Sequence, residues 1–174
     1  SEYQLYTGEE MDPSLLTSFV RETQKMVARD LLFSALTKRM LSSFECKKRL
    51  LAKEIDDDII EETIAWFTEQ KWIDDSVYLE NAVKDQIHVK GYGLWRVISN
   101  LKQKGFDKGA IQNQYEELTT IESDASRARA YVDKKWPMIR GTSLLHRKKK
   151  LSDQLLTRGF SYDVISDVLE GLEE

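Results

Sequence analysis

One short pattern occurs three times in this chain, and it constrains the fold more than any other feature. The copies are Leu50-Leu51-Ala52-Lys53-Glu54-Ile55-Asp56, Leu101-Lys102-Gln103-Lys104-Gly105-Phe106-Asp107 and Leu155-Leu156-Thr157-Arg158-Gly159-Phe160-Ser161. Each has a basic residue, then Gly or Glu, then an apolar residue, then a residue that caps helices. They recur at intervals of about fifty residues, a period that marks stacked supersecondary units. Downstream apolar positions match as well: Ile60, Ile111 and Ile165; Ile64, Tyr115 and Leu169; Phe67, Leu118 and Leu172. The pattern predicts a helix end, a tight corner and a new helix in every copy. Glu54 breaks the glycine rule. Either it is left-handed, at a cost of roughly 1 kcal/mol relative to Gly, or the turn there is of another kind.

Local signals place helices between these corners. Asp12-Pro13 is a helix start, with Asp as N-cap and Pro at the first helical position. Leu15, Leu16, Phe19, Val20, Met26 and Val27 then make an amphipathic helix. One long helix or two abutting ones cover 13–39, after a weakly structured 1–11. Ser42 and Glu45 form a capping box for a helix over about 43–53 that uses Phe44, Cys46, Leu50 and Leu51. The acidic Asp56-Asp57-Asp58 suits the start of a helix over about 57–70, which buries Ile60, Ile64, Phe67 and Trp66. Asp74 caps the next helix, whose apolar face holds Val77, Leu79, Val83 and Ile87. Gly91 closes it in the left-handed conformation, and Gly93 permits a tight re-entry. Leu94, Val97, Ile98 and Leu101 form the following stripe. Asp107 and Ser161 cap two more helices. A further unit begins near Ser123, with Ala125, Ala128, Tyr131, Val132 and Trp136 on one face. Trp136-Pro137 ends that helix, and Gly141-Thr142 gives another break.

The expected fold is all-α: a tandem repeat of three three-helix modules, elongated, with a leading N-terminal helix. The N-terminal segment and leading helix occupy 1–28, and the modules 29–72, 73–120 and 121–174. Each module is too small to bury much surface alone, so contacts should run mainly between sequence neighbours. In the second module Trp95, Leu101, Ile111 and Tyr115 are expected to be buried.

Charged residues make up 32% of the chain and hydrophobic ones 41%, which fits a folded helical protein with much solvated surface. No apolar run reaches the roughly 18 residues of a membrane span, and no signal-peptide pattern opens the chain. Cys46 is the single cysteine, so no internal disulfide forms and a cytoplasmic location is expected. The opening Ser1 suggests a fragment of a longer chain.

No set of residues suggests catalysis. His88 and His146 stand apart in charged surroundings, without a nucleophile to serve. One Cys and two isolated His do not make a zinc set. The acids of 56–62 lack the spacing and the glycine of a calcium loop. Gly91-Tyr92-Gly93 links helix to helix, whereas phosphate loops follow a strand. The chain therefore reads as a non-enzyme with no cofactor and no metal.

Basic clusters are the remaining candidates. Net charge is −4, so any anionic partner must be met by a local patch. Lys38, Arg39, Lys47 and Lys48 mark the first module; Lys84, Lys90, Arg96 and Lys102 the second; Arg127, Arg140, Arg147, Lys148, Lys149 and Lys150 the third. Acids concentrate elsewhere, in 54–62, 69–75, 116–124 and 163–174. These clusters are either ordinary solvated helix faces or a positive stripe that contacts phosphates or an acidic protein surface. Trp66, Trp72, Trp95 and Trp136 likewise serve either packing within and between modules or base stacking.

A family resemblance sharpens the choice. Trp72-Ile73-Asp74-Asp75, then Tyr78, then the Gly91-Tyr92-Gly93 break leading to Leu101-Lys102-Gln103-Lys104-Gly105-Phe106, resemble the RecX family of recombination regulators. Lys71 stands where that family often has Gly, Leu79 where it has Ala and Leu94 where it has Pro. The resemblance implies an all-α array of three-helix modules that binds the RecA filament on single-stranded DNA as a monomer. It implies inhibition of ATP hydrolysis, strand exchange and co-protease activity, by occupying the filament groove or promoting disassembly. The rival reading is a helical-repeat protein that binds single-stranded nucleic acid without a recombinase.

Overall fold

A computed structural model of the chain describes residues 12–119, 124–141 and 143–172. Within them lie nine α-helices and no strand: α1 Pro13–Leu36, α2 Ser43–Leu51, α3 Asp57–Glu69, α4 Asp75–Lys84, α5 Leu94–Lys102, α6 Lys108–Leu118, α7 Asp124–Lys135, α8 Leu144–Thr157 and α9 Tyr162–Glu170. The expectations for residues 1–11, Ser123 and Thr142 fall outside the described residues.

Helices begin at the caps read from the sequence. The Asp12 carboxylate accepts from the Ser14 N–H, with Pro13 at the first position. Ser42 and Glu45 form the reciprocal capping box. Asp107 accepts from the N–H groups of Gly109 and Ala110, and Ser161 from that of Val164. Each such cap satisfies donors that the first helical turn leaves open. Asp56 precedes α3 without a side-chain cap bond. α7 stops at Lys135, and Trp136–Met138 form a 3₁₀ turn.

The three repeated corners share one geometry. Glu54, Gly105 and Gly159 are left-handed, with φ of 57°, 91° and 87°. Their N–H groups donate to Leu51, Lys102 and Leu156 carbonyls at 3.0, 3.1 and 2.9 Å. The next residues, Ile55, Phe106 and Phe160, donate to Leu50, Leu101 and Leu155 at 3.5, 3.3 and 3.2 Å. This is the Schellman pattern, in which a left-handed residue turns two N–H groups back on the last carbonyls. Lys71, with φ 61°, repeats it at the end of α3, where Trp72 donates to Phe67 at 2.9 Å. A position often occupied by Gly in the family is thus one where the backbone is left-handed.

The chain divides into two compact units between Asp74 and Asp75. In the first, α1, α2 and α3 close over Ala28, Leu32, Leu41, Cys46, Leu50, Ile55, Ile59, Ile60, Phe67 and Ile73. Arg21 pairs with Asp58, and Lys25 with Glu62 at 3.0 Å, tying α1 to α3. The second unit holds two cores. One, from α4–α6, is built on Leu79, Val83, Ile87, Val97, Ile98, Leu101, Ile111 and Tyr115. The other, from α7–α9, is built on Ala128, Val132, Ile139, Leu151, Leu155, Phe160, Ile165 and Val168.

Several expected core residues lie at the surface instead. Only Ala28 and Leu32 of α1 are fully buried; Leu15, Leu16, Phe19 and Val20 are exposed, because α2 and α3 cover only the later turns. Phe44, Leu51 and Val77 are also exposed. Trp66 is exposed on one side while its ring meets Phe67 edge-on. Trp72 leans on Phe33 at 5.0 Å. Trp95, expected in the core, is 54% exposed. After α4 the backbone makes a π-turn over Asp85–Val89, which buries Gln86 beside Ile87. Asn100 donates to the Gln86 side-chain carbonyl at 2.7 Å, satisfying it.

Candidate interaction surface

The third module carries the strongest local charge. Between Asp133 and Asp153 the sequence has Lys134, Lys135, Arg140, Arg147, Lys148, Lys149 and Lys150 and no acid. Ser143 caps α8 by accepting from the His146 N–H, which starts the helix just before the basic run. Arg147 is committed to the fold. Its guanidinium lies 4.0 Å from the Trp136 ring centroid and donates to the Ile139 and Trp136 carbonyls at 3.0 and 3.2 Å. Lys150 donates to the Arg140 carbonyl at 3.0 Å. Together they pin the 136–141 segment against α8. Arg140, Lys148 and Lys149 have no side-chain partner among the described residues, and Lys148 and Lys149, three and four residues on, share the helix face of Leu145, 78% exposed, in the opening turns of α8. An exposed aliphatic side chain on the same helix face as two unpaired lysines is suited to a partner that is anionic and not fully polar.

Arg127 has to be taken off the list of surface cations. It is 5% exposed, and its guanidinium donates to the Asp124 carboxylate and the Tyr115 hydroxyl. Tyr115 in turn donates to Asp124, which links α6 to α7. Burial and this hydrogen bond push the Tyr115 phenol above its ordinary pKa of 10.0.

The other candidates are scattered. Lys84 pairs with Glu80 one turn back, Lys90 with Asp85 at 2.9 Å, Lys47 with Glu61 at 3.9 Å and Arg39 with Glu45 at 3.4 Å. The pairs of Lys84, Lys90 and Lys47 are exposed on both sides, and such pairs are screened and weak. Lys38 borders a cleft of about 560 Å³ with Arg39, Arg49 and Asp30. Lys48 and Lys102 stand without a side-chain partner among the described residues. Arg96 lies over the Tyr92 ring at 5.8 Å. His88 and His146 are both exposed. No three His, Cys, Asp or Glu among the described residues come together as a metal requires, and no described helix is long and apolar enough to cross a membrane.

Sequence reasoning missed the residue that joins the second and third modules. Arg158 donates to the Lys90 carbonyl and to that of Gly91 at 3.2 Å, and lies 5.1 Å from the Tyr92 ring and 4.5 Å from the Tyr131 ring. Its own carbonyl accepts from the Gly93 N–H at 2.9 Å, and the Gly159 carbonyl from Trp95 at 3.1 Å. A cation against carbonyls just past a helix end also offsets the negative end of the dipole. The repeat aligns Lys53, Lys104 and Arg158, but only a guanidinium can stack between two rings while donating in its plane.

The sequence model of the first three-helix domain of RecX matches residues 28–67, and that of the third matches residues 122–169. The chain belongs to the RecX family. Curated relatives named regulatory protein RecX agree. That of Oceanobacillus iheyensis is 26% identical over 172 residues, covering 99% of this chain and 63% of the relative. That of Streptococcus mutans is 25% identical, covering 98% and 65%. This RecX-family chain thus spans less than two thirds of the length of those two. The protein from Clostridium acetobutylicum is 28% identical, over 95% of this chain and 78% of its own. In solved structures, RecX from Lactobacillus salivarius has the same fold, with a TM-score of 0.74 at 22% identity over 86% of this chain and 96% of that one. A second regulatory protein RecX gives 0.78 at 23%, over 95% and 83%.

Proposed function

We propose that this chain binds the RecA filament on single-stranded DNA and restrains its ATP hydrolysis, strand exchange and co-protease activity. The observation that carries this reading is the acid-free basic run of the third module, with Arg140 and Lys149 exposed and Lys148 half-buried on a segment that Arg147 holds in place. The family of regulatory proteins to which the chain belongs supports it. A nucleoprotein filament offers phosphates and acidic side chains at repeating intervals. Several modules of one chain then engage it together, each raising the effective concentration of the next. The chain acts as a monomer in the cytoplasm. Co-sedimentation with RecA filaments, alongside filament ATPase rates, tests the proposal. Pelleting with filaments and a lowered ATPase rate are expected; a protein that stays in the supernatant under all salt conditions overturns it.

A further inference from the structure

The outward face of α5 holds an aromatic and several cations that the filament reading leaves unused. α5 buries Val97, Ile98 and Leu101, so Trp95, Ser99 and Lys102 share the opposite side at helical spacing. Trp95 is 54% exposed, and Lys108 on α6 stands 5.4 Å from its ring centroid. Arg96 beside it is exposed. No acid occurs between Asp85 and Asp107. Asp107 itself accepts from the N–H groups of Gly109 and Ala110.

A second exposed aromatic follows a backbone contact of Trp95 closely in the chain. The Trp95 N–H donates to the Gly159 carbonyl at 3.1 Å. Tyr162, 75% exposed, follows Gly159 by only Phe160 and Ser161. It therefore lies within about 11 Å of that contact along the chain. We propose that Trp95 and Tyr162 form a stacking platform for the bases of a single-stranded nucleic acid, with Lys102 and Lys108 receiving its phosphates. Such a strand supplies both chemistries that the face asks for, flat π surfaces and regularly spaced negative charge. An acidic protein surface would satisfy the lysines but give the indole nothing flat and apolar to cover it.

The proposal deepens the filament reading, since the strand concerned would be the one the filament carries. Its test uses bare oligo(dT), so either idea can fail without the other. Tryptophan fluorescence of the full chain is followed during titration with oligo(dT) and, separately, with polyglutamate. Oligo(dT) should quench the parent, and Trp95→Phe should remove most of that quenching. Trp95→Ala should weaken binding about tenfold, as loss of one stacked base does, and Tyr162→Ala should weaken it in the same direction. Thermal unfolding of each variant should match the parent, because both rings are exposed. No quenching by oligo(dT), unchanged affinity in a folded Trp95→Ala, or equal quenching by polyglutamate overturns the assignment.

Discussion

Glu54 and Lys71 hold φ values of 57° and 61°, in a region that costs residues with a Cβ about 1–2 kcal/mol. Both are exposed, so neither side chain offsets the cost by burial. Part of any gain from glycine is lost to the freer unfolded chain. Glu54→Gly and Lys71→Gly should each still raise stability by roughly 0.5–1 kcal/mol, read as a higher midpoint in denaturant with an unchanged slope. Tyr115 makes a pH prediction. Its pKa is raised in the folded state, so the protonated phenol is favoured there. The stability it contributes is complete below its ordinary pKa of 10.0 and is lost as pH rises above that. Tyr115→Phe should cost about 1–2 kcal/mol at neutral pH through the lost hydrogen bonds. The variant should also show a shallower alkaline decline in unfolding midpoint than the parent; parallel declines would mean Tyr115 does not titrate differently on folding.

Among the elements, the contact between the α4–α5 and α8–α9 corners depends on two glycines. A Cβ on Gly93 would come within 2.5 Å of the Gly159 carbonyl oxygen, and one on Gly159 within 2.1 Å of the Arg96 nitrogen. Backbone stands on backbone there, with no flexible side chain to yield. Gly93 has φ −80°, so its requirement is closeness, whereas Gly159 is both close and left-handed. Gly159→Ala should cost about 3 kcal/mol or more, the sum of overpacking and a strained φ. Gly171→Ala, with open space around its Cβ position, should change stability by less than about 0.5 kcal/mol. Equal midpoints for the two variants in thermal unfolding would show that the corner opens without cost.

At the scale of the whole molecule, the uneven distribution of charge matters more than the total. A chain of net charge −4 places seven cations and no acid between Asp133 and Asp153. Of these, Arg147 and Lys150 are tied to backbone carbonyls, so Lys148 and Lys149 are the ones to change. Lys148→Glu with Lys149→Glu should leave the thermal midpoint nearly unchanged, because Lys149 is exposed, Lys148 is half-buried, and neither charge is paired within the fold. Filament binding should weaken at least tenfold, about 1.4 kcal/mol, and its salt dependence should flatten. Co-sedimentation at several salt concentrations measures both. A folded double variant with the parent's affinity and salt slope would move the contact off the third module.

Local chemistry was legible in the residues themselves. Asp12, Ser42, Asp107 and Ser161 cap helices because a short polar side chain reaches N–H groups two or three residues on, an interaction settled within one turn. The three corners follow for the same reason: the bonds of Leu50–Ile55, Leu101–Phe106 and Leu155–Phe160 span five residues. Even the departure at Glu54 was visible as a repeat position out of pattern. What the residues could not show was which apolar side chains find cover. Trp95 and Leu15 sit at helical spacing like their buried neighbours, and only the extent of the packed helices leaves them exposed. Arg127 reads as a surface cation until α6 brings Tyr115 to it, and Arg158 only as the basic residue of a repeated corner until the α4–α5 corner brings Tyr92 and two carbonyls to it. The π-turn at Asp85–Val89 has no composition of its own. Burial of a long side chain depends on what arrives from elsewhere in the chain, and that was decided by packing between distant segments.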